Sequence, residues 1–381
     1  MEKNVTQKGV FLSSFAMAFA GLGDALLYPV LPVYGEEMGF SVFWIGVFLS
    51  INRFIRIPGN SLVGYLISIK GLKNAMLVAT FFAMLTTFTY GFEIGIFLFL
   101  IARIFWGLSY ATMRISSLAY ASGVQKNVNL MFGLVQSIKT TSAVLSLFVG
   151  SYLVKVYSVK ISFIVLGAFS LPAIFFASKL PALKMDTTKI DLKKILNFSS
   201  INILTFLTSF IIDGVLVITI SKLLDKYSIS ELIVVVSGYL LFRKLCSAVL
   251  SAVSGWMSDA FGVEKVFRIS LFFILGSLLL ITVNNSEIGI AIAFLFNSIF
   301  VAMLPSIALK INPKNRLTTL TSITTWWDIG AALGTFLGLY LLKIIGYKML
   351  FGTLFCLQLL AVAIFLKKSA SFLKVKHLQG S

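Results

Sequence analysis

A chain of 381 residues that is 58% hydrophobic and only 12% charged is not a soluble globular protein, where about a quarter of residues carry charge. The 32 Lys and Arg against 14 Asp and Glu give a net charge of +18, which either nucleic acid or an acidic membrane surface would attract. A mean hydropathy of +0.97 favours the membrane, and no Gly-x-x-x-x-Gly-Lys-Ser/Thr nucleotide signature is present. Cys246 and Cys356 lie in apolar runs and the single histidine, His377, lies in the tail, so the sequence offers no disulfide framework, no Cys/His metal site and no intramembrane histidine base.

A spanning helix needs about 20 mostly apolar residues. Twelve such runs succeed one another, at roughly 10–34, 42–66, 75–92, 95–121, 130–154, 160–178, 198–222, 231–257, 266–283, 288–309, 317–342 and 347–366. None alternates as a barrel strand does. The first run is too long for a cleavable signal and no small-residue cleavage site follows it. With the N-terminus inside, 19 of the 32 Lys and Arg fall on inner connectors and tails, among them Lys70, Lys73, Lys189, Lys193, Lys194 and Lys310, against six outside. The positive-inside rule then places both termini in the cytoplasm, in the cell (inner) membrane.

Along the chain, the first segment reads GLGDALLYPVLPVYGEE, with Asp24 at mid-depth and Pro29 and Pro32 expected to break the helix near its outer end. The second carries Arg53 and Arg56, the fourth Arg103 and Arg114, and the fifth Lys139. The mixed-charge stretch 180–197 reads as a cytoplasmic linker between residues 1–179 and 198–381. Beyond it, the seventh segment holds Asp213, the eighth Arg243 and Lys244, the tenth Asn297, and the eleventh Trp326, Trp327 and Asp328. A charge at the bilayer centre costs about 2.5–3.5 kcal/mol on insertion scales, so such groups usually face a wet cavity and serve function. Seven of these ten charges are basic and three acidic, a net +4 that points to an anion path with carboxylates available for protons.

The two halves repeat. Asp24 and Asp213 are 189 residues apart, each beside a glycine; Arg53 and Arg243 are 190 apart, and Lys139 and Asp328 189. Gly64 and Gly71 match Gly255 and Gly262 at an offset of 191. The third, sixth, ninth and twelfth segments hold none of the ten charges, as outer, lipid-facing supports would. The expected fold is therefore an all-α polytopic membrane protein of twelve transmembrane helices in two pseudo-symmetric six-helix bundles. Parallel repeats are a known transporter design, with the binding site near the midplane.

These motifs resemble the major facilitator superfamily over nearly the whole chain. That family's Gly-x-x-x-Asp-(Arg/Lys)-x-Gly-(Arg/Lys) pattern appears as GWMSDAFGVEK, with Gly255, Asp259 and Gly262 in place. In the first half it reads GYLISIKGLKN, with Gly64 and Gly71 but Ser68 at the acid's position. The resemblance implies a cytoplasmic latch built on these residues, with Asp259 its acid. LIARIFWGLSYA is similar to the family's Arg-x-x-x-Gly pattern through Arg103 and Gly107, which links Arg103 to proton transfer. The first segment looks like the drug and metabolite exporter branch, whose Gly-Pro-rich fifth-segment signature is missing here.

The expected function is a secondary active transporter, not an enzyme, moving a small organic anion or zwitterion by alternating access. Arg53, Arg56, Arg114, Lys139, Arg243, Lys244, Asn297, Trp326 and Trp327 are its candidate substrate-binding residues, with Arg53, Lys139 and Arg243 expected to converge near the centre. Asp24, Arg103, Asp213 and Asp328 are the candidate proton-coupling groups. The alternative is proton-driven export of amphipathic drugs or lipids. No cofactor is expected beyond a proton gradient; the expected partners are the substrate, protons and the lipid bilayer, with no nucleic acid, and the protein is expected to be a monomer.

Overall fold

Backbone groups in hydrocarbon find no water, so a long apolar segment has to satisfy them within itself, and among the described residues all regular structure is helical. The computed structural model describes residues 7–92, 95–183, 195–224, 229–313 and 315–378, the side chains of residues 42, 229–234 and 369–378 excepted. Most of the expected linker, with Lys189, Lys193 and Lys194, lies outside these residues, as does the side chain of His377.

The chain divides into two units, Met1–Asp191 and Leu192–Ser381. The first contains α1 (Gln7–Ala20), α2 (Leu22–Tyr34), α3 (Val42–Lys70), α4 (Leu72–Thr89), α5 (Gly95–Ser122), α6 (Val128–Val156), α7 (Val159–Phe169) and α8 (Leu171–Ser178). The second contains α9 (Ser200–Thr208), a π-helical stretch at Ser209–Leu216, α10 (Val217–Leu223), α11 (Ile229–Phe261), α12 (Val263–Thr282), α13 (Ser286–Ile311) and α14 (Arg316–Leu378). Ten stretches among the described residues are long and apolar enough to cross a membrane. The last of them is two helices meeting at Gly346, whose φ of 71° is not helical. The 29-residue α3 adds a further span by length, with Arg53, Arg56 and Lys70 diluting its apolar run. Each of the twelve expected segments is thus helix.

One expectation about irregularity is corrected. Helix α2 runs unbroken through Pro29 and Pro32 to Tyr34, and the interruption falls earlier, at Gly21. Gly21 divides the first segment so that Asp24 stands in the first turn of α2, where the helix dipole favours an acid. In the second unit the equivalent segment widens to π-helix around Asp213, a distortion often found at functional sites. Gly71 and Gly262, at matched positions of the repeat, end α3 and α11 with φ of 80° and 94°, which a glycine adopts without strain.

In the first unit α5 packs against α3 and α4, α1 against α6 and α8, and α2 against α6 and α7. Its core gathers Leu26, Leu31, Phe40, Phe48, Tyr90, Phe99 and Phe163. In the second unit α14 lies against α9 and the π-helical stretch. Gly330, Gly334 and Gly338, spaced by four, form one stripe of α14, the small-residue device that lets membrane helices approach closely. A Cβ on Gly334 would lie 2.2 Å from the Phe210 carbonyl oxygen, and one on Gly214 would lie 2.5 Å from the Gly334 Cα. Gly334→Ala is therefore expected to lower the melting temperature of the purified protein, since overpacking typically costs about 1–3 kcal/mol. Gly276→Ala, where a Cβ meets nothing within 4 Å, is expected to leave it level or raise it, because a helical glycine costs about 0.5–1 kcal/mol relative to alanine. Equal melting temperatures for the two variants would show that the stripe does not set the packing.

Candidate functional site

Arg103 on α5 is fully buried and its partners come from three other segments. Its Nη1 lies 2.5 Å from the Asp24 carboxylate of α2 and 3.2 Å from the Tyr90 hydroxyl after α4, and its Nε donates to the Phe48 carbonyl of α3 at 2.7 Å. The guanidinium also lies over the rings of Tyr28 and Tyr90, at 6.0 and 5.7 Å. Close packing positions these groups: a Cβ on Gly23 would strike the Thr87 side chain at 2.2 Å, and one on Gly107 would lie 2.9 Å from the Asn52 carbonyl oxygen. Asn52 in turn donates from Nδ2 to the Tyr28 hydroxyl at 3.2 Å. The Asp24 side chain is 17% exposed, so the acid of this pair is the member that reaches the surface.

The second unit builds a different pair. Arg243 of α11 contacts Asp213 of the π-helical stretch at 2.5 Å, with side chains 26% and 15% exposed. Asn297 of α13 donates to the same Asp213 oxygen at 3.3 Å, and the Phe294 ring lies 5.5 Å under the guanidinium. The repeat alone matches Arg243 with Arg53, yet the first unit's acid takes Arg103. The physical reason is supply: one repeat length beyond Arg103 the chain reads Ile292-Ala293-Phe294, without a cation.

Between α3 and α5 a polar seam continues below the Asp24–Arg103 pair. Arg56 lies 5.0 Å from the centre of the Tyr110 ring and Arg114 lies 5.7 Å from the same ring. Arg114 also approaches the Asn60 amide oxygen at 3.5 Å. Arg53 is half-buried on α3. Lys139 bonds Gln136 one turn back on α6 at 2.5 Å. Lys244 is exposed on α11, while Asp328 is buried within α14. Trp326 packs edge-on against Phe198 and Phe206, and Trp327 stacks on Phe300.

Of the latch residues, Gly64 and Gly255 are buried within their helices, Gly71 and Gly262 terminate them, and Asp259 is exposed near the end of α11. At that end of the second unit Glu264 pairs with Lys310 at 2.5 Å and with Arg268 at 3.7 Å. Sequence reasoning passed over this clasp and the neutral members of the seam, Tyr28, Asn52, Asn60, Tyr90 and Tyr110. Helical spacing carried a signal for some of them: Arg103, Trp106, Tyr110 and Arg114 recur at three- and four-residue steps along α5.

The family described as Major Facilitator Superfamily matches residues 13–195 and 198–378, both units in turn. The chain belongs to the major facilitator superfamily. It is a multi-pass membrane protein, and membership in this family of transporters sets the enzyme reading aside. Similar superfamily proteins include the multidrug resistance protein MdtG of Proteus mirabilis, 25% identical over 379 residues that cover 91% of this chain and 92% of that one. An uncharacterized MFS-type transporter of Methanocaldococcus jannaschii is 28% identical over 215 residues, 54% of this chain and 56% of that relative, so the match spans little more than half its length. Among solved structures, the human organic anion transporter MFSD10 (TETRAN) shares the fold with a TM-score of 0.75 at 14% identity, covering 94% of this chain and 98% of that one. The proton:xylose symporter XylE shares it with a TM-score of 0.75 at 10% identity, covering 96% and 95%.

Removing one member of a buried ion pair costs about 3–5 kcal/mol, because the other is left uncompensated. Arg103→Leu is accordingly expected to destabilise the purified protein strongly, and Asp24→Asn added to it to recover part of the loss. Denaturation of the four proteins of the double-mutant cycle should yield a coupling of about 0.5–3 kcal/mol, and additive effects would mean that the two side chains do not interact.

Proposed function

We propose that the protein is a secondary active transporter for a small organic anion or zwitterion, such as a carboxylate metabolite or metal chelator, driven by protons through alternating access. The supporting observation is the balance of charges that lie well inside the apolar segments. Well inside the segments of the first unit, Asp24 stands as the single acid against Arg53, Arg56, Arg103, Arg114 and Lys139, and Arg103 holds it. The second unit sets Asp213 and Asp328 against Arg243 and Lys244. The whole surplus of +4 therefore belongs to the first unit. Positive charge in a low dielectric raises the local concentration of anions and disfavours cations.

Asp24 is the proposed coupling acid. Arginine stays protonated, so only the carboxylate of the Asp24–Arg103 pair can gain and lose a proton. Protonation would weaken a contact that ties α2 to α5, giving the proton a differential hold on two arrangements of the unit. Asp213 and Asp328 are second candidates. Lysines on the connectors support cytoplasmic termini, and the transporter is proposed to act as a monomer.

A second reading, proton-driven export of amphipathic drugs or lipids, is favoured by the similarity to MdtG, named a multidrug resistance protein, along 91% of the chain. Flux into proteoliposomes separates the two. Under an imposed pH gradient, labelled dicarboxylates or amino acids are expected to accumulate, whereas accumulation of cationic amphiphiles alone would select the drug reading. Asp24→Asn is expected to abolish uphill accumulation while leaving counterflow exchange of substrate largely intact. Full uphill transport in Asp24→Asn would move the coupling acid to Asp213 or Asp328.

A further inference from the structure

We infer that Asp213, Arg243 and Asn297 form the seat of a zwitterion in the second unit, the ammonium and carboxylate of a free α-amino acid, a specificity that rests on the anion-or-zwitterion reading above. Position supports it first. Asp213 lies thirteen residues from Ser200 and ten from Leu223, the ends of its helical segment. Asn297 lies eleven residues from Ser286 and fourteen from Ile311 on α13. In segments of spanning length these counts set both side chains near mid-membrane, the depth at which transporter repeats place their cargo. The backbone is irregular at the same place: Asp213 belongs to the π-helical stretch Ser209–Leu216, and such widening is frequent at functional sites.

An orphaned atom supports it second. Asn297 is 5% exposed and its amide nitrogen donates to the Asp213 carboxylate, but its amide oxygen Oδ1 is buried with no hydrogen-bond partner among the described residues. A buried acceptor left unmet costs about 1–3 kcal/mol, so an acceptor in this position calls for a donor. The carboxylate beside it has capacity for the same donor. Arg243 and Asn297 both contact its Oδ1, whereas an ionised carboxylate accepts at about four positions over two oxygens. A cationic group with several N–H bonds, as an ammonium is, suits an amide oxygen and a carboxylate together.

Charge balance then selects the rest of the ligand. Arg243 meets Asp213 through Nη2, and a guanidinium carries further N–H groups in a planar fork that fits a carboxylate. The Phe294 ring, 5.5 Å from the guanidinium carbon, attracts that charge without neutralising it. Asp213 and Arg243 are neutral as a pair. An anion drawn to Arg243 would meet the repulsion of Asp213, and a cation drawn to Asp213 that of Arg243. A zwitterion offers each its opposite and leaves the net charge of the site unchanged. In an α-amino acid the two groups stand on one carbon, side by side like the side chains they would face. The seat is also preformed: Gly214, next to Asp213, packs so tightly that a Cβ on it would lie 2.5 Å from the Gly334 Cα, and a fixed backbone lowers the ordering cost of binding.

Equilibrium binding to the purified full-length protein tests the seat. The probes are L-alanine and L-leucine, their matched carboxylates propionate and isocaproate, their matched amines ethylamine and isoamylamine, and succinate, sodium and tetraphenylphosphonium. At least one amino acid is expected to bind about tenfold or more tighter than both of its matched fragments. Asn297→Leu removes the orphaned acceptor and leaves the ion pair intact, and it is expected to weaken that binding by about tenfold. Asp213→Asn and Arg243→Gln should each weaken it by about tenfold or more and change selectivity in opposite senses. Asp213→Asn should narrow the gap between amino acid and carboxylate, and Arg243→Gln the gap between amino acid and amine, shifts that a loss of folded protein does not produce. Arg243→Lys covers a Gln variant that does not fold; it keeps the charge and should still lose affinity, because a point charge does not reproduce a planar fork. Amino acids that bind no tighter than their fragments would overturn the zwitterion seat, as would sodium that binds without them and is lost in Asn297→Leu. Binding of an amino acid or of succinate that is indifferent to all three positions would overturn this seat while leaving the anion-or-zwitterion reading standing. Binding of tetraphenylphosphonium without any amino acid or carboxylate would overturn both.

Discussion

Hydrocarbon offers a buried charge neither water nor counter-ion, so an ionised group within these apolar segments has to be met by the chain or by a water-filled cavity. The Asp24–Arg103 contact is where that constraint organises the first unit. One guanidinium takes a carboxylate from α2, a backbone carbonyl from α3 and a hydroxyl after α4, so four of the unit's helical segments converge on it. The aromatic core of Phe48, Tyr90, Phe99 and Phe163 closes around the contact and keeps its dielectric low. The glycines at 23 and 107 are part of the same solution, since a side chain at either would push the partners apart.

The second unit meets the same constraint with other material. Its acid is repeat-equivalent to Asp24, but the cation comes from α11 and a neutral amide, Asn297, comes from α13. The surroundings differ as well. In the first unit the helix is interrupted for one residue, Gly21, ahead of the acid, whereas in the second it widens into π-helix through the acid itself. Backbone-to-backbone contact with the glycine stripe of α14 accompanies that widening. The acid thus recurs in both halves while each half compensates it differently, and the more exposed pair is the one in the second unit.

A fold common to a whole superfamily leaves the choice of cargo to side chains. The polar side chains of the first unit form a graded seam along α3 and α5. At one end a carboxylate and a guanidinium neutralise each other; one to three turns away, guanidiniums gather round an aromatic ring and an amide.

Much of this was legible in the residues themselves. Twelve apolar runs, the offset near 190 and the glycines after the second and eighth segments specify the helices, the duplication and the helix ends, because each depends on local chemistry: hydrophobic length, chain periodicity and the freedom of glycine at positive φ. Which charges lie inside apolar segments was also visible, since an ionised side chain in an apolar run is costly wherever it points. Which charges meet was not. Linear spacing does not say which arginine meets Asp24; only the packing of α3 against α5 decided for Arg103, because helix rotation and approach are set by contacts such as Gly107 on Asn52. Tyr110 stayed hidden for the same reason: an aromatic residue in a membrane helix is usually filler, and its place in the seam shows only when the tertiary structure brings two guanidiniums onto one ring.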